Sequence, residues 1–377
     1  MERQTPYYSY DGQLLRRTLQ TAKEAIARHP QISGARIHYA IKANNNPQVL
    51  QTIANAGFGA DCVSGGEIRQ ALAAGFQACD IAYAGVGKTD DEIKLALEIG
   101  IGCFNAESIE ELEIISEIAS AGGYTAPVAL RINPNVGAHT HSNITTGLAE
   151  NKFGINLEKV PEAVEKVKSL PGLDLMGIHF HIGSQILVMD DFKALCNRIN
   201  EQQEWFRRHG VNLRWINVGG GLGIDYEHPE KHPVPDFDAY FGTYAKHLRL
   251  TAGQQLHCEL GRAIVGQCGS LITRCIYVKT GTFKKFVIVD AGMNDLIRPA
   301  LYHAYHKIEN ISNPDAEEKL YDVVGPICES SDCFAKGIYL PETRRGDIIA
   351  IRSAGAYGES MSSTYNSRPL VESEFKI

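Results

Sequence analysis

A chain of 377 residues, 44% of them hydrophobic and 21% charged, has an ordinary globular composition, with room for two or three domains or for one α/β barrel of about 250 residues and a smaller partner. The formal net charge is −7 and no long basic run appears, which sets nucleic acid aside as a partner. The opening MERQTPYYSYDGQLLRR lacks an apolar core of signal-peptide length, and no stretch reaches about 18 apolar residues, so neither a leader nor a membrane-crossing helix is expected.

In chain order, Thr5–Tyr10 reads as a strand ahead of the first helix. Short apolar runs then alternate with segments of helical period. The predicted strands are Ile37–Ala43, Gly59–Ser64, Ile81–Gly85, Cys103–Ser108, Pro127–Asn133, Leu173–Gly183, Arg214–Gly221 and Leu256–Ile264. Helices are expected between them, as over Asp90–Ile99, Ile109–Ala121, Pro161–Ser169 and Phe192–His209. Strand–helix alternation makes parallel βαβ units, and eight of them predict a closed (β/α)₈ TIM-like barrel over residues 11–264. An open doubly wound sheet is the alternative, but its glycine fingerprint is replaced after the first strand by IKANNNP. Beyond Ile264 the strands Ser270–Tyr277, Phe286–Asp290, Leu320–Val324 and Asp347–Ile351 are separated by turns, with one helix over Asp295–His306. This predicts a C-terminal β-domain over 265–377, joined by the N-terminal strand 1–10. Nine cysteines without CxxC spacing read as reduced thiols of a cytoplasmic protein.

Barrel active sites lie at the C-terminal ends of the strands. The first strand ends in YAIKAN, where desolvation would lower the pKa of the Lys42 amine and make it a nucleophile; a surface lysine just past the strand is the plainer reading. The sixth ends in HFHIGSQ, with His179 and His181 on one face. These can be zinc ligands, core histidines or a ring that stacks on an aromatic cofactor, and no acidic or cysteine partner stands at ligand spacing for zinc. The seventh ends in NVGGGLGIDY, where Gly219, Gly220, Gly221 and Gly223 would let backbone amides approach a phosphate, or simply make a tight turn. The eighth, HCELGRAI, points Glu259 inward ahead of Gly261 and Arg262. A carboxylate facing a pyridine nitrogen keeps that nitrogen protonated; a structural Glu259–Arg262 ion pair is the alternative. Together these groups make a coherent pyridoxal phosphate site without a metal.

The same segments resemble the alanine-racemase-like family of pyridoxal phosphate enzymes (fold type III), in the branch of ornithine, arginine and diaminopimelate decarboxylases. YAIKAN, GADCVSGGEI, HFHIGSQ, VGGGLG and ELGR follow in that branch's order over essentially the whole chain. The resemblance implies that Lys42 binds the cofactor as a Schiff base, His181 stacks on its ring, and Ser184, Gly220 and Gly221 hold its phosphate. It also implies that Glu259 pairs with the ring nitrogen, that Asp61 and Arg131 support it, and that Gly261, Arg262 and Tyr357 belong to the same cofactor site.

Further on, DAGMNDLIRPALYHAYH, GPICESSDCFAK and GAYGESMSSTYNSRP resemble the diaminopimelate-acting members. They imply Arg262, Arg298, Tyr302, Glu329 and Tyr357 as substrate ligands and Cys328 as the proton donor that replaces the lost carboxylate. The implied partner is a second copy of the chain, the Cys–Glu pair lying across a homodimer interface so that active sites are shared. The implied reaction is decarboxylation of meso-2,6-diaminopimelate, a small amino acid, to L-lysine and CO2, with a decarboxylase of carboxynorspermidine or ornithine as the alternative. Two arginines suit a substrate whose far end carries a carboxylate, whereas an ornithine or lysine decarboxylase needs only an acidic partner for a distal amine. Three positions depart from the family pattern: Leu260 where proline is common, Ser331 where glycine is frequent, and Glu359 where an apolar residue is common.

Overall fold

The computed structural model describes residues 3–135 and 152–377, so Met1 and Glu2 of the expected N-terminal strand lie outside it. Two compact units appear, one of residues 19–223 and 236–261, the other of the chain up to Thr18 with 224–235 and 262–377.

The N-terminal strand is β1 (Tyr7–Asp11), which belongs to the second unit. The first unit holds β2 (Arg36–Ala40), β3 (Gly59–Cys62), β4 (Ile81–Tyr83), β5 (Cys103–Ala106), β6 (Ala126–Asn133), β7 (Ile155–Asn156), β8 (Leu173–His179), β9 (Trp215–Asn217) and β10 (Gln255–Leu260). All pair in parallel in the order β5-β4-β3-β2-β10-β9-β8-β6, and β5 also pairs with β6, which closes an eight-stranded barrel. The short β7 adds to β6 outside that ring. Between strands the helices begin and end where local chemistry dictates. Asp90–Ile99 starts on a capping box made by Thr89 and Glu92 and stops at Gly100, whose φ is +68°. Ser64 and Ser108 cap Gly65–Ala74 and Ile109–Gly122 by accepting the amides of Glu67 and Glu111.

Strand alternation sorts the barrel interior into layers. Lower down, Ala82, Cys103, Ala129 and Trp215 pack together. There the Trp215 ring stacks on His257 with centroids 3.4 Å apart, and His257 Nδ1 lies 2.9 Å from His38 Nε2. Two residues further along their strands come Asp61, Asn105, Arg131, His179, Asn217 and Glu259, all buried and all polar. Polar side chains are this dense inside a barrel only where they satisfy one another or meet a ligand.

Several predicted boundaries need correction. Lys42 is not in a strand: β2 ends at Ala40 and Lys42 sits in the 3-10 turn Ile41–Ala43. The eighth barrel strand ends at Leu260, and Arg262 opens a short helix, Arg262–Val265. The sixth ends at His179, which leaves His181 and Ser184 in the loop beyond.

In the second unit β11 (Gly269–Thr280), β12 (Lys285–Val289), β13 (Ile308–Asn310), β14 (Glu318–Val324), β15 (Cys333–Pro341), β16 (Ile348–Ile351) and β17 (Glu372–Lys376) form a mixed sheet in the order β13-β16-β11-β12-β14-β15. β1 joins β11 antiparallel and β17 parallel. The helix expected over Asp295–His306 shortens to Arg298–Tyr302, because Pro299 fixes its first turn and His303 leaves helical geometry at φ +52°.

Candidate active site

At the mouth of the barrel, Glu259 is 7% exposed and its carboxylate receives three donors. Oε1 accepts from Asn105 Nδ2 at 2.9 Å and from Asn217 Nδ2 at 2.7 Å, and Oε2 lies 2.9 Å from His179 Nε2. These partners come from β5, β9 and β8, so Glu259 points into the barrel as expected. Burial pushes its carboxyl up, opposed by Lys42, the Asn217 hydrogen bond, His38 and Arg131. Burial, and then Arg131, hold His179 well below the usual imidazole range, so it is neutral and donates through Nε2.

The Lys42 side chain is 44% exposed at the mouth, with Nζ 4.0 Å from Asp61 Oδ2. Asp61 is 2% exposed, and burial followed by repulsion from Glu259 raises its carboxyl to about 8. Behind it, Arg131 donates to Glu107 Oε1 at 2.5 Å, and Glu107 also accepts from the amides of Gly85 and Gly154. Lys88, whose side chain is fully buried, donates to the carbonyls of Gly85 and Asn105 and to Glu111, so the loop after β4 is tied to β5 and to the helix Ile109–Gly122 that follows it. A buried ammonium is tolerable only when all its protons are taken, and these are.

The glycine loop is built for close approach. Gly219 and Gly221 have φ of +67° and +111°, and a Cβ on Gly220 would stand 1.9 Å from the Glu259 carbonyl. The Gly219 amide donates to Asn217 Oδ1 at 2.9 Å and the Gly220 amide to His181 Nδ1 at 3.2 Å. His181, held neutral by burial and by Lys42, therefore carries its proton on Nε2. Gly261 is as constrained: a Cβ there would meet Ala43 Cβ at 2.9 Å and Ala40 Cβ at 3.2 Å, the turn that carries Lys42.

The second unit collects a different set. Arg262 and Arg298 are each 5% exposed. Arg262 donates to Tyr226 Oη at 2.6 Å and lies 4.9 Å over the Tyr357 ring. Arg298 lies 4.9 Å over Tyr226 and donates to His306 Nε2 at 2.8 Å, while His306 Nδ1 donates to the Arg352 carbonyl at 2.9 Å. Burial and then Arg298 drive His306 down to about 3, so it gives Arg298 a neutral partner. Arg298 meets no carboxylate among the described residues, and its buried Nε has no hydrogen-bond partner. Tyr302 ends the helix that Arg298 begins.

Cys328 and Glu329 are exposed, in a loop held by the buried Asp332, which accepts from the amides of Ile327 and Met293 at 2.6 and 2.7 Å. Glu329 accepts from Tyr365 Oη at 2.7 Å, and the Cys328 amide donates to Asn366. Glu359 accepts from Tyr10 Oη at 2.6 Å, so the unusual carboxylate is the partner of a fully buried phenol. Sequence reasoning named His179 without a role and missed Asn105, Asn217, Glu107, Lys88, Tyr226 and His306. Asn105 and Asn217 carried a signal in their inward register near the ends of β5 and β9; Glu107, Lys88, Tyr226 and His306 carried none.

The mouth fits pyridoxal phosphate. It offers an amine on a turn, a glycine cradle that a Cβ would fill, a carboxylate with one oxygen only half occupied, and a buried Asp61 Oδ1 without a partner. Residues 13–266 match the family described as pyridoxal-dependent decarboxylase, pyridoxal binding domain. The diaminopimelate decarboxylase of Bacteroides thetaiotaomicron is 60% identical over 97% of this chain and 94% of the relative. That of Helicobacter pylori is 44% identical over 97% and 88%. The crystal structure of a Helicobacter pylori diaminopimelate decarboxylase complexed with L-lysine superposes with a TM-score of 0.92 at 41% identity, covering 100% of this chain and 92% of that one.

Proposed function

Because the chain belongs to the pyridoxal-dependent decarboxylases, and among them to the diaminopimelate decarboxylases, we infer that it converts meso-2,6-diaminopimelate to L-lysine and carbon dioxide, the last step of lysine biosynthesis. Arg298 carries the substrate side: a buried guanidinium with a neutral imidazole for a partner and an unpaired Nε is a site for a carboxylate. Of the competing substrates, ornithine and lysine present no carboxylate at the far end.

Pyridoxal phosphate is the cofactor, and when bound it supplies an electron sink for the bond to the departing carboxylate. Lys42 anchors it through its amine, with Asp61 close enough to hold or return a proton at Nζ. Glu259 would pair with the ring nitrogen and His181 would cover the ring, while Arg131 holds Glu107 in the wall of the mouth. Ser184, Gly220 and Gly221 take the phosphate, helped by Gly261, Arg262 and Tyr357. Arg262, Arg298, Tyr302, Glu329 and Tyr357 orient the far amino-acid head of the substrate, which excludes shorter or singly charged amines. Cys328 delivers a proton to the carbon that has lost its carboxylate. Two copies of the chain share each site, since Cys328 and Glu329 are exposed on the single chain and a proton donor must be sheltered from water when it acts. Nine unpaired cysteines suit a cytoplasmic setting.

The test is to supply meso-diaminopimelate, L-lysine, L-ornithine and carboxynorspermidine to the purified protein and to follow carbon dioxide and amine products. Carbon dioxide and L-lysine should appear from meso-diaminopimelate alone. Turnover of another substrate with equal efficiency would remove the substrate assignment and leave the decarboxylase class.

A further inference from the structure

Three neutral donors converge on Glu259, and they divide its two oxygens unequally. Oε1 accepts from both asparagines, which fills its in-plane lone pairs. Among the described residues Oε2 accepts only from His179, so it is the oxygen with a lone pair to offer. The direction of each donor is fixed by the fold. Asn217 Oδ1 already accepts the Gly219 amide, so its NH₂ must face Glu259. His179 is 1% exposed and neutral, so it gives one N–H and no charge.

We propose that His179, Asn105 and Asn217 are positioning residues that set the proton affinity of Glu259, so that the proton shared with the cofactor's ring nitrogen rests on the ring. The inference depends on Glu259 facing that nitrogen. A carboxylate buried in a barrel is a strong base, because burial penalises its charge. If it outmatched the ring nitrogen it would take the proton, and the ring would lose its pull on electrons. Hydrogen bonds to the charged form weaken the base. Neutral donors do this without placing a second cation beside the protonated ring. The arrangement also has a cost visible in the structure: Asn105 Oδ1 and His179 Nδ1 are buried without partners. Buried acceptors are left unmet in this way where orientation toward another group matters more.

Wild type, His179→Leu, His179→Gln and Asn105→Ala, each loaded with ¹⁵N-labelled pyridoxal phosphate, separate the possibilities by the ring-nitrogen resonance together with kcat and KM. Wild type should show a protonated ring. In His179→Leu and Asn105→Ala the resonance should move toward the unprotonated position, with kcat down about tenfold or more and KM little changed. His179→Gln, whose amide can reach the Nε2 position, should bring the resonance back toward wild type. Asn105→Ala keeps the test open should His179→Leu fail to fold. A ring that stays protonated in the variants, at unchanged kcat, would overturn the proposal. A wild-type ring without a proton would instead remove the role of Glu259 itself.

Discussion

The side-chain amide of Asn217 stands 2.7 Å from the Glu259 carboxylate, and its carbonyl oxygen accepts the Gly219 amide at 2.9 Å. One side chain thus couples the glycine loop to a buried carboxylate of the barrel mouth. Displacing either end tilts the other, so the glycine loop and the Glu259 carboxylate move as one piece.

Lys42→Ala should abolish turnover and the visible absorbance band of the bound cofactor. In wild type, borohydride should fix the cofactor to Lys42, as peptide mass mapping would reveal. Full turnover by the alanine variant would exclude Lys42 as the anchor.

Glu259→Gln keeps the shape of the side chain and removes its charge. The expected result is a fall in kcat on the order of 10²-fold or more with a smaller change in KM, because ring protonation matters most in the transition state. Steady-state kinetics at saturating cofactor decide it, and an unchanged kcat would count against the role.

Arg298→Ala removes the buried cation proposed to meet the substrate's far carboxylate. A lost buried charge contact costs about 2–5 kcal/mol, so KM for meso-diaminopimelate should rise at least about 30-fold while cofactor affinity holds. His306→Phe should give a smaller rise, since it takes away the Arg298 partner and leaves the guanidinium in place. Equal cofactor loss in both variants would point to a folding defect instead.

Mixing Lys42→Ala with Cys328→Ala chains should restore part of the activity that neither variant has alone. The exposed Cys328 loop on the single chain motivates the experiment. No recovery in hybrids confirmed by mass would mean that each copy works alone.

Burial, followed by repulsion from Glu259, raises the Asp61 carboxyl from its ordinary value of 3.8 to about 8. A raised acid pKa favours the protonated, folded state. Its contribution is therefore complete below about pH 4 and is lost as pH rises through about 8. Cofactor-free wild type should lose stability relative to Asp61→Asn across that window, by at most about 1.4 kcal/mol per pH unit. Denaturant unfolding of both proteins at several pH values would check this, and a constant difference would contradict the burial of the carboxyl.

The barrel was legible because its strands are short, apolar and evenly interleaved with helices; Asp90–Ile99 begins and ends at the residues that its Thr89 cap and Gly100 foretell. Strand ends were read too long at Lys42, His181 and Arg262, since hydrophobic pattern continues into the turns that follow the strands. The sheet of the second unit was less visible. β13 has three residues and β17 reads ESEFK, and both are strands only because neighbours pair with them. In the site, residues with a motif were singled out, whereas Tyr226 and His306 act through contacts set by tertiary structure and left no local mark. Glu359 looked out of place beside GAYG until its partner Tyr10, 349 residues away in sequence, was in view.

Gly261 and Leu260 face different fates under mutation. The absence of a methyl at 261 lets the end of β10 lie against Ala40 and Ala43, so any other residue there must push aside the turn that bears Lys42. Leu260, paired in register with Tyr39, needs only to extend the ladder, and a leucine amide can donate where a proline nitrogen cannot. Drift from the common proline is therefore neutral at 260, while 261 is closed to it: a library randomised over these two codons should return active clones varied at the first and glycine alone at the second.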